Sequence, residues 1–565
     1  MLVAGLVLYR LFILSYVRHG DYERTAIAQK DSVTNILARG NIYFQDLKSS
    51  STVGQDGLFL AATNKKFPLL QANPSLIMKN DIDKISGELA SILAIDKEKI
   101  RTSIDSDSNK YKVLHRRLST EEVEKIKSLK VDGLSIAYET DRFYPGGNLG
   151  SDILGFLGYN QDGNKSGQYG IEEYYNEILY GKPEVSGSSG SSGPVSIFKR
   201  WFSGTSDETG ESIRRPADLV LTIDKNIQSY AESVLAGVLK KWNAEKGTII
   251  IEDPTTGRIL AMADGPSFDP NYYSEAETRV FLSGSTQETF EPGSSFKPIT
   301  MAAGLDLVKI TPDTLFTDTG SVTIGGFTIK NFSDKIFGTV TMSQILEKSI
   351  NTGVMHVENL IGDEAFLDYV INMGFGQKTD IDMPGELHGD ITNLYSGRKI
   401  NYSTASFGQG IAVTPIQLIN AYAAIANGGK LMRPYIVEKI VREGGTAEVT
   451  KPSIVGIPIS EKTATKLQTM LVSVVDKGFD KARIKGYDIA GKTGTAQISD
   501  SGGGYQDNVF IHDFLGFAPG YNAKFVVLIK MDKPKGVTFA SDSLSSTYRE
   551  IASFLINYFN IPPTR

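Results

Sequence analysis

The sequence predicts an α+β fold in which a membrane anchor and a non-catalytic pedestal precede a catalytic domain, itself an antiparallel sheet flanked by helices with a helical lobe. Three observations predict this arrangement. The 565-residue chain begins with an apolar run. A Ser/Gly-rich tract follows residue 185. Strand-like segments occur at both ends of the region after that tract. The predicted parts are the anchor (1–17), the pedestal (18–183), the junction (184–216) and the catalytic domain (217–565).

The composition excludes several kinds of chemistry. The chain contains no cysteine, which rules out thiol nucleophiles, disulfides and thiolate metal sites. Its five histidines lack the spacing of a helical metal-binding pair, and we expect neither a metal nor another cofactor. Asp and Glu (65) outnumber Lys and Arg (59), so nucleic acid is not expected as a partner. Acid–base chemistry then falls to Lys, Asp, Glu, Ser and Tyr.

The N-terminal run Met1–Val17 (MLVAGLVLYRLFILSYV) is apolar except for Arg10. As a helix it spans about 25 Å, less than the hydrocarbon core of about 30 Å. A signal peptide is disfavoured because no basic stretch precedes the run and no Ala-x-Ala site follows it, whereas a buried soluble helix stays an alternative. We expect an incomplete membrane anchor whose start lies upstream, with Arg10 near the outer interface and everything after residue 20 extracytoplasmic.

The pedestal shows no catalytic constellation. The segments Asp81–Ile92 and Thr120–Leu129 combine charge with a helical spacing of apolar residues, and Leu134–Tyr138 has the composition of a strand. We therefore expect a non-catalytic α+β region.

The junction contains two unusual segments. Ser186–Gly193 (SGSSGSSG) has no apolar residue, which is typical of a flexible tether outside any active site. The aromatic-basic pentapeptide Phe198–Phe202 fits contact with lipid headgroups or a partner, but a loop that packs one Trp is the favoured interpretation. The two segments together mark a domain boundary.

The catalytic domain begins and ends with paired strands. Gly247–Glu252 and Arg258–Ala263 flank one turn, and Phe514–Phe517 and Lys524–Met531 flank another. Strands at both ends with helices between them predict one antiparallel sheet that is completed late in the chain.

Helices occupy the middle and the end of this domain. One begins at Pro415, where Thr414 caps it and Gln417 completes a capping box. The last helix covers about Ser543–Tyr558. The middle helices form the predicted lobe.

The first motif with chemical potential is Ser294-Ser295-Phe296-Lys297, after a Glu-Pro-Gly turn. A helix that begins at the serine places Ser294 and Lys297 on one face, one turn apart, with Ser294 at the positive end of the helix dipole. A serine hydroxyl needs an adjacent base to act as a nucleophile. Lys297 fits that role if its pKa falls through desolvation and a neighbouring cation.

The second motif is Ser349-Ile350-Asn351, which follows a helical segment around Met342–Lys348. Residues two apart in a loop point into the same cleft. The hydroxyl of Ser349 is suited to relay a proton, and the amide of Asn351 to bind a substrate carbonyl and the lysine.

The third motif is Lys492-Thr493-Gly494-Thr495, in a strand-like run. Lys492 supplies the second cation, Thr493 holds a substrate carboxylate, and Gly494 allows a substrate backbone to lie against the strand edge. The backbone N–H groups of Ser294 and Thr495 together suit an oxyanion hole. Each motif alone is weak; all three in this order are a much stronger signal, because chance explains them in under roughly one case in twenty.

With its longer context the sequence resembles the class B penicillin-binding proteins over nearly the whole chain. The residues that carry the resemblance are Pro266–Asn271, Glu291–Lys297, Gly408–Gly410 before Val413–Pro415, and Gly491–Gln497, with Arg39–Tyr43, Arg142–Pro145 and Gly170–Glu172 upstream. Two departures are Tyr43–Asp46, where the family usually has Asp-Arg, and Ser295, where Thr is common.

The resemblance implies a single-pass protein of the bacterial inner membrane whose extracytoplasmic transpeptidase domain cross-links peptidoglycan stem peptides ending in D-Ala-D-Ala. It implies that β-lactams inhibit the enzyme, and that a membrane glycosyltransferase and other division or elongation proteins are partners. The layout is closer to the division branch than to the elongation branch.

Three alternatives share these motifs. A β-lactamase uses the same constellation but deacylates quickly with water and has no use for a pedestal. A D,D-carboxypeptidase differs only in its acceptor. A non-catalytic division scaffold is disfavoured because Ser294, Lys297 and Lys492 are all present.

Overall fold

The computed structural model describes residues 39–48, 57–105, 111–181, 215–499 and 504–565, which form two compact units. One unit is built on Ala62–Phe143, and the other on Asn41–Ala61 with Tyr144–Arg565. The predicted anchor, tether and aromatic-basic pentapeptide all lie outside the described residues, so they stay predictions. The domain boundaries at 183/184 and 216/217 also stay predictions. Among the helices that the structure describes, none is both long and apolar enough to cross a membrane.

The strands of the described residues are numbered in chain order. They are β1 (Ile42–Gln45), β2 (Leu58–Ala72), β3 (Lys112–His115), β4 (Leu134–Phe143), β5 (Phe156–Tyr159), β6 (Lys165–Gln168), β7 (Asp218–Asp224), β8 (Lys246–Asp253), β9 (Arg258–Gly265), β10 (Leu315–Asp318), β11 (Ser321–Ile324), β12 (Phe327–Lys330), β13 (Gly338–Thr341), β14 (Leu431–Met432), β15 (Val437–Val441), β16 (Ala447–Val449), β17 (Ile454–Gly456), β18 (Ala490–Ser499), β19 (Tyr505–Ala518) and β20 (Phe525–Asp532). The α-helices are Ile82–Leu93, Lys97–Ile104, Thr120–Ser128, Ser151–Leu154, Gly170–Tyr174, Asn176–Tyr180, Lys225–Trp242, Lys297–Asp306, Met342–Glu347, Asn351–Ile361, Asp363–Asn372, Lys399–Ala405, Pro415–Ala426, Glu461–Gly478, Ala540–Ser543 and Ser545–Tyr558.

The smaller unit is an α+β region, as the sequence predicts. Both expected helices form, as Ile82–Leu93 and Thr120–Ser128, and their apolar faces share one buried cluster. Ser119 caps the second helix in a capping box. Strand β4 runs on to Phe143, beyond the predicted Tyr138, because it pairs antiparallel with β2 along its whole length.

A five-stranded antiparallel sheet, in the order β18-β19-β20-β8-β9, is the centre of the larger unit. The two strand pairs predicted at the ends of the catalytic domain meet where β20 pairs with β8. Apolar side chains of Lys225–Trp242 and Ser545–Tyr558 pack with one face of this sheet in a single buried cluster. The expectation of an antiparallel sheet completed late in the chain is confirmed.

The helix Pro415–Ala426 packs against β8 and β20. All of its residues are buried, and the predicted capping box between Thr414 and Gln417 is present. The helix Lys297–Asp306 is also almost wholly buried and packs against Asn351–Ile361 and Glu461–Gly478. The residues of the first two motifs are therefore set in a rigid, close-packed layer.

Candidate active site

The turn Gly293–Phe296 is one turn of 3₁₀-helix that leads into the helix Lys297–Asp306. The sequence predicts an α-helix from Ser294, whereas the α-helix begins at Lys297. Because a 3₁₀ turn has three residues, positions three apart are eclipsed, and Ser294 still lies on the same face as Lys297. Ser294 is half-buried and its hydroxyl makes no hydrogen bond within the described residues. Ser295 is fully buried and donates to the carbonyl of Pro292 at 2.7 Å.

The segment Gly408–Gly410 holds the turn Gly293–Phe296 in place. This turn carries Ser294, the predicted nucleophile, and is called the nucleophile turn below. Gly293 has a φ of +55° and donates its N–H to the carbonyl of Gly408 at 3.0 Å. A side chain at position 408 would overlap the backbone of Gly293. The N–H of Gly410 donates to Glu291 Oε1 at 3.0 Å. The Gly408–Gly410 segment is therefore required for the shape of the turn that carries Ser294.

Lys297 is fully buried at the base of the site. Its Nζ lies 2.6 Å from the carbonyl oxygen of Ser349, 2.7 Å from Asn351 Oδ1 and 3.1 Å from Ser349 Oγ. Burial and the nearby ammonium of Lys492 hold the pKa of Lys297 well below its usual value. In the neutral amine two N–H bonds serve the two oxygens that only accept, which leaves the lone pair for a hydroxyl.

Ser349 connects the two lysines. Its Oγ lies 3.1 Å from the Nζ of Lys297 and 3.1 Å from the Nζ of Lys492. The residue adopts a φ of +55°, a strained conformation for a serine. The sequence predicts Asn351 in a loop, whereas in the structure it is the first residue of the helix Asn351–Ile361. The two side chains nevertheless meet at Lys297.

A buried polar cluster supports this helix start. Thr352 donates its N–H to Asn331 Oδ1 at 3.1 Å and its hydroxyl to Asp318 Oδ1 at 2.6 Å. Asn331 in turn donates to Asp318 at 2.9 Å. Asn351 itself donates to the carbonyl of Lys330 at 3.2 Å, so its Oδ1 is directed at Lys297.

The third motif lies on β18, at the edge of the central sheet. Lys492 is fully buried and its Nζ donates to Ser349 Oγ and to the carbonyl of Thr493, both at 3.1 Å. Burial lowers the pKa of Lys492 to about 7, partly offset by the carboxylate of Asp513. Thr495 Oγ1 accepts the N–H of Ala540 at 3.0 Å, which fixes the end of the motif.

Gly494 has a structural requirement that the sequence reasoning did not identify. A side chain here would overlap the carboxylate of Asp513 and the carbonyl of Pro292. Glycine therefore allows β18 to lie directly against the nucleophile turn. Asp513, an acid in the apolar C-terminal half of β19, was also missed.

The described residues contain no group of three or more His, Asp or Glu side chains arranged to hold a metal ion. The chemistry of the site is that of a serine, two buried lysines, a second serine and an amide. A serine one turn from a buried lysine of depressed pKa, with a second lysine nearby, is the set of groups that serine acyl transfer needs.

Comparison with known proteins gives the family. Residues 247–553 match the penicillin-binding protein transpeptidase domain, and residues 38–192 match the penicillin-binding protein dimerisation domain. The chain belongs to the penicillin-binding protein transpeptidase family, and the resemblance to class B members found in the sequence is confirmed.

Relatives match along most of their length. Stage V sporulation protein D of Bacillus subtilis is 31% identical, over 93% of this chain and 79% of that protein. The peptidoglycan D,D-transpeptidase FtsI of Buchnera aphidicola is 30% identical, over 84% of this chain and 80% of that protein.

Solved structures share the fold. Penicillin-binding protein 3 of Mycobacterium tuberculosis complexed with aztreonam has a TM-score of 0.65 and 26% identity, covering 76% of this chain and 92% of that chain. A peptidoglycan synthetase from Bifidobacterium adolescentis has a TM-score of 0.68 and 25% identity, covering 94% of this chain and 96% of that chain.

Proposed function

We propose that this protein is a serine D,D-transpeptidase that cross-links peptidoglycan stem peptides through an acyl-enzyme and that β-lactams acylate it. The observation that carries the proposal is the environment of Lys297. Its Nζ is fully buried and contacts only neutral acceptors, and a second ammonium lies across Ser349. These conditions make a lysine a base at neutral pH. The names of relatives that act as peptidoglycan D,D-transpeptidases support the substrate class.

In the acylation step Ser294 Oγ attacks the carbonyl carbon between the two terminal D-alanines, and Lys297 takes the hydroxyl proton. The tetrahedral intermediate collapses, the C–N bond breaks, and the leaving amine of D-alanine takes a proton from Ser349. Ser349 regains its proton from Lys297, whose Nζ lies 3.1 Å from its Oγ, so Lys297 is again neutral at the end of the step. In the second step an amine of another stem peptide attacks the ester, and the protons return along the same path.

Substrate binding is assigned to β18. Lys492 and Thr493 hold the terminal carboxylate of the donor peptide, and Asn351 binds a carbonyl of its backbone. The N–H groups of Ser294 and Thr495 stabilise the oxyanion. Gly494 gives the peptide access to the strand edge.

The cellular setting follows from the family. We place the catalytic domain outside the cytoplasmic membrane of a bacterium, anchored through Met1–Val17, with a membrane glycosyltransferase as a partner. Relatives named for sporulation and as FtsI favour the division branch over elongation.

The test is to label the protein with a fluorescent penicillin and map the modified peptide by mass spectrometry. We expect the adduct on Ser294, no adduct in Ser294→Ala, and an adduct still on Ser294 in the matched control Ser295→Ala. An adduct on Ser295 or Ser349 would overturn the assignment. Rapid turnover of nitrocefin, in place of a stable acyl-enzyme, would indicate a β-lactamase.

A further inference from the structure

Asp513 is a buried acid beneath the catalytic motifs. It lies on β19, directly opposite Gly494 of β18 on one side and Lys530 of β20 on the other. Opposite residues in an antiparallel pair share a face of the sheet, as do residues two apart on one strand. Lys492, Asp513 and Lys530 therefore form a diagonal row on the face towards the nucleophile turn. Their exposed fractions are 0%, 0% and 2%.

The carboxylate of Asp513 is directed at that turn. Only the missing side chain of Gly494 leaves room for it, and the same space borders the carbonyl of Pro292. The hydroxyl of Ser295 and the N–H of Gly494 lie near enough to favour its charged form. Neither makes a hydrogen bond of good geometry with it within the described residues.

The two lysines of the row differ in their carboxylate partners. Lys530 already has an acid, since its Nζ lies 2.5 Å from Asp532 Oδ1. Lys492 has none at ion-pair distance in the described part of the chain, and its hydrogen-bond acceptors are the neutral Ser349 Oγ and Thr493 carbonyl. Asp513 is the carboxylate left to act on Lys492 across the strand pair.

We propose that Asp513 is a positioning residue for acyl transfer: from the strand next to β18 its buried carboxylate keeps Lys492 a cation, and that cation keeps Lys297 a neutral base. The proposal rests on the lysine roles given under the proposed function. It makes the role of Lys492 as the second cation depend on a residue outside the three motifs.

The shifts of the groups agree with this arrangement. Burial raises the pKa of Asp513 to about 7, while Lys492 and Lys530 oppose that rise. Asp513 is the charge that raises the pKa of Lys492, and Lys492 is the charge that lowers that of Lys297. The titratable groups that interact with Asp513 are Lys492 on β18, Lys530 on β20 and Tyr422 on the helix Pro415–Ala426. Beyond them, Asp532 pairs with Lys530, and Lys297 interacts with Lys492.

The sign of the effect is specific. Without the negative charge Lys492 loses its proton at lower pH, so the alkaline limb of the rate profile moves down. Below its own pKa of about 7 Asp513 is protonated, so its removal leaves the acid limb, which Lys297 sets, in place. An opposite charge within about 4–6 Å shifts a pKa by about 1–3 units. Removal of Asp513 therefore narrows the active pH range from the alkaline side.

The experiment compares the full chain with Asp513→Asn and Asp513→Ser. The second-order rate of acylation by a fluorescent penicillin is measured from about pH 5.5 to 9.5, with thermal melting at each pH. We expect the alkaline limb to move down by about one pH unit or more in both variants. If the Asp513→Asn variant does not fold because the amide is not accommodated, Asp513→Ser serves as the test, because it removes the charge and has a smaller side chain.

Glu252→Gln is the matched control. Glu252 is a fully buried acid of the same sheet, on β8, and both of its oxygens lack a hydrogen-bond partner within the described residues. We expect its removal to leave both limbs in place. A loss of rate in the Asp513 variants that is equal at every pH, or an unchanged profile, would overturn the proposal. Failure of wild-type labelling at Ser294 would instead overturn the proposed function.

Discussion

Lys297 and Lys530 are buried to the same degree in the same unit, with exposed fractions of 0% and 2%. Their partners differ completely. The ammonium of Lys530 lies 2.5 Å from Asp532 Oδ1 and 5.3 Å from the centre of the Phe290 ring. Lys297 contacts a carbonyl, a hydroxyl and an amide oxygen, and within the described residues no carboxylate lies at ion-pair distance from it.

The difference shows how two equally buried lysines of one fold come to have different properties. Burial disfavours the charged form, and a carboxylate partner restores it. Lys530 has that partner and is held as part of an ion pair. Lys297 lacks one and interacts with the ammonium of Lys492, so its pKa falls, as its proposed role of general base requires. What distinguishes Lys297 from Lys530 is that, within the described residues, no carboxylate lies at ion-pair distance from it.

The largest effect is expected from removing the neutral amine itself. Lys297→Ala should reduce the acylation rate by about 10²–10⁴-fold, the usual contribution of a general base. Lys297→Arg should be equally inactive, because a guanidinium cannot give up its proton and so cannot reproduce the base. Acylation rates with a fluorescent penicillin measure both. An active Arg variant would show that the cationic form suffices.

Asn351→Asp should make the site of Lys297 resemble that of Lys530. A carboxylate at the amide position, 2.7 Å from Nζ in the present structure, raises the pKa of the lysine. We expect a loss of about ten-fold or more at neutral pH that is partly recovered as the pH rises, since the acid limb moves up by about 1–3 units. Asn351→Ala, which adds no charge, is the control and should leave that limb near its original pH.

Lys530→Met tests the paired lysine. Among the described residues, the change leaves Lys246, whose Nζ lies 3.8 Å away, as the ion-pair partner of the buried Asp532. We expect a loss of about 3 kcal/mol in the free energy of unfolding, because an uncompensated buried charge is costly. Thermal melting measures it. The double variant Lys530→Met with Asp532→Asn should recover part of the loss, and no recovery would contradict the ion-pair explanation.

His512 extends the comparison to a third buried base. Its ring nitrogens lie 2.8 Å from Ser543 Oγ and 3.1 Å from the carbonyl of Thr538, and burial lowers its pKa from 6.5 to about 4. Between those two values the unfolded chain binds the proton and the folded chain does not, so stability falls as pH falls. The cost reaches about 2 kcal/mol at pH 5.

His512→Gln should remove that part of the acid sensitivity. Melting temperatures at pH 7 and pH 5 for both proteins check it. If the variant loses as much stability on acidification as the wild type, His512 is not the group responsible.

The sequence predicts what is local in this site. The spacing of Ser294 and Lys297 survives the change from α- to 3₁₀-helix because both geometries place residues three apart on one face. The sheet was predictable because each strand pair flanks its own turn. The roles of Asp513 and Gly494 were not, since they depend on register between strands, and a single acid in an apolar run has no local partner to reveal it. The parallel pairing of β1 with β7 could not be predicted either, because it too depends on register between strands.

The contact between Gly293 and Gly408 has a consequence for inheritance. The turn that presents the nucleophile is completed by a glycine far downstream, so the two segments work only as a pair. When related genes exchange pieces, a crossover between these positions joins a turn from one parent to its support from another. Functional mosaics should therefore carry glycine at both positions whichever parents contribute them, and sequencing of viable recombinants would record this constraint.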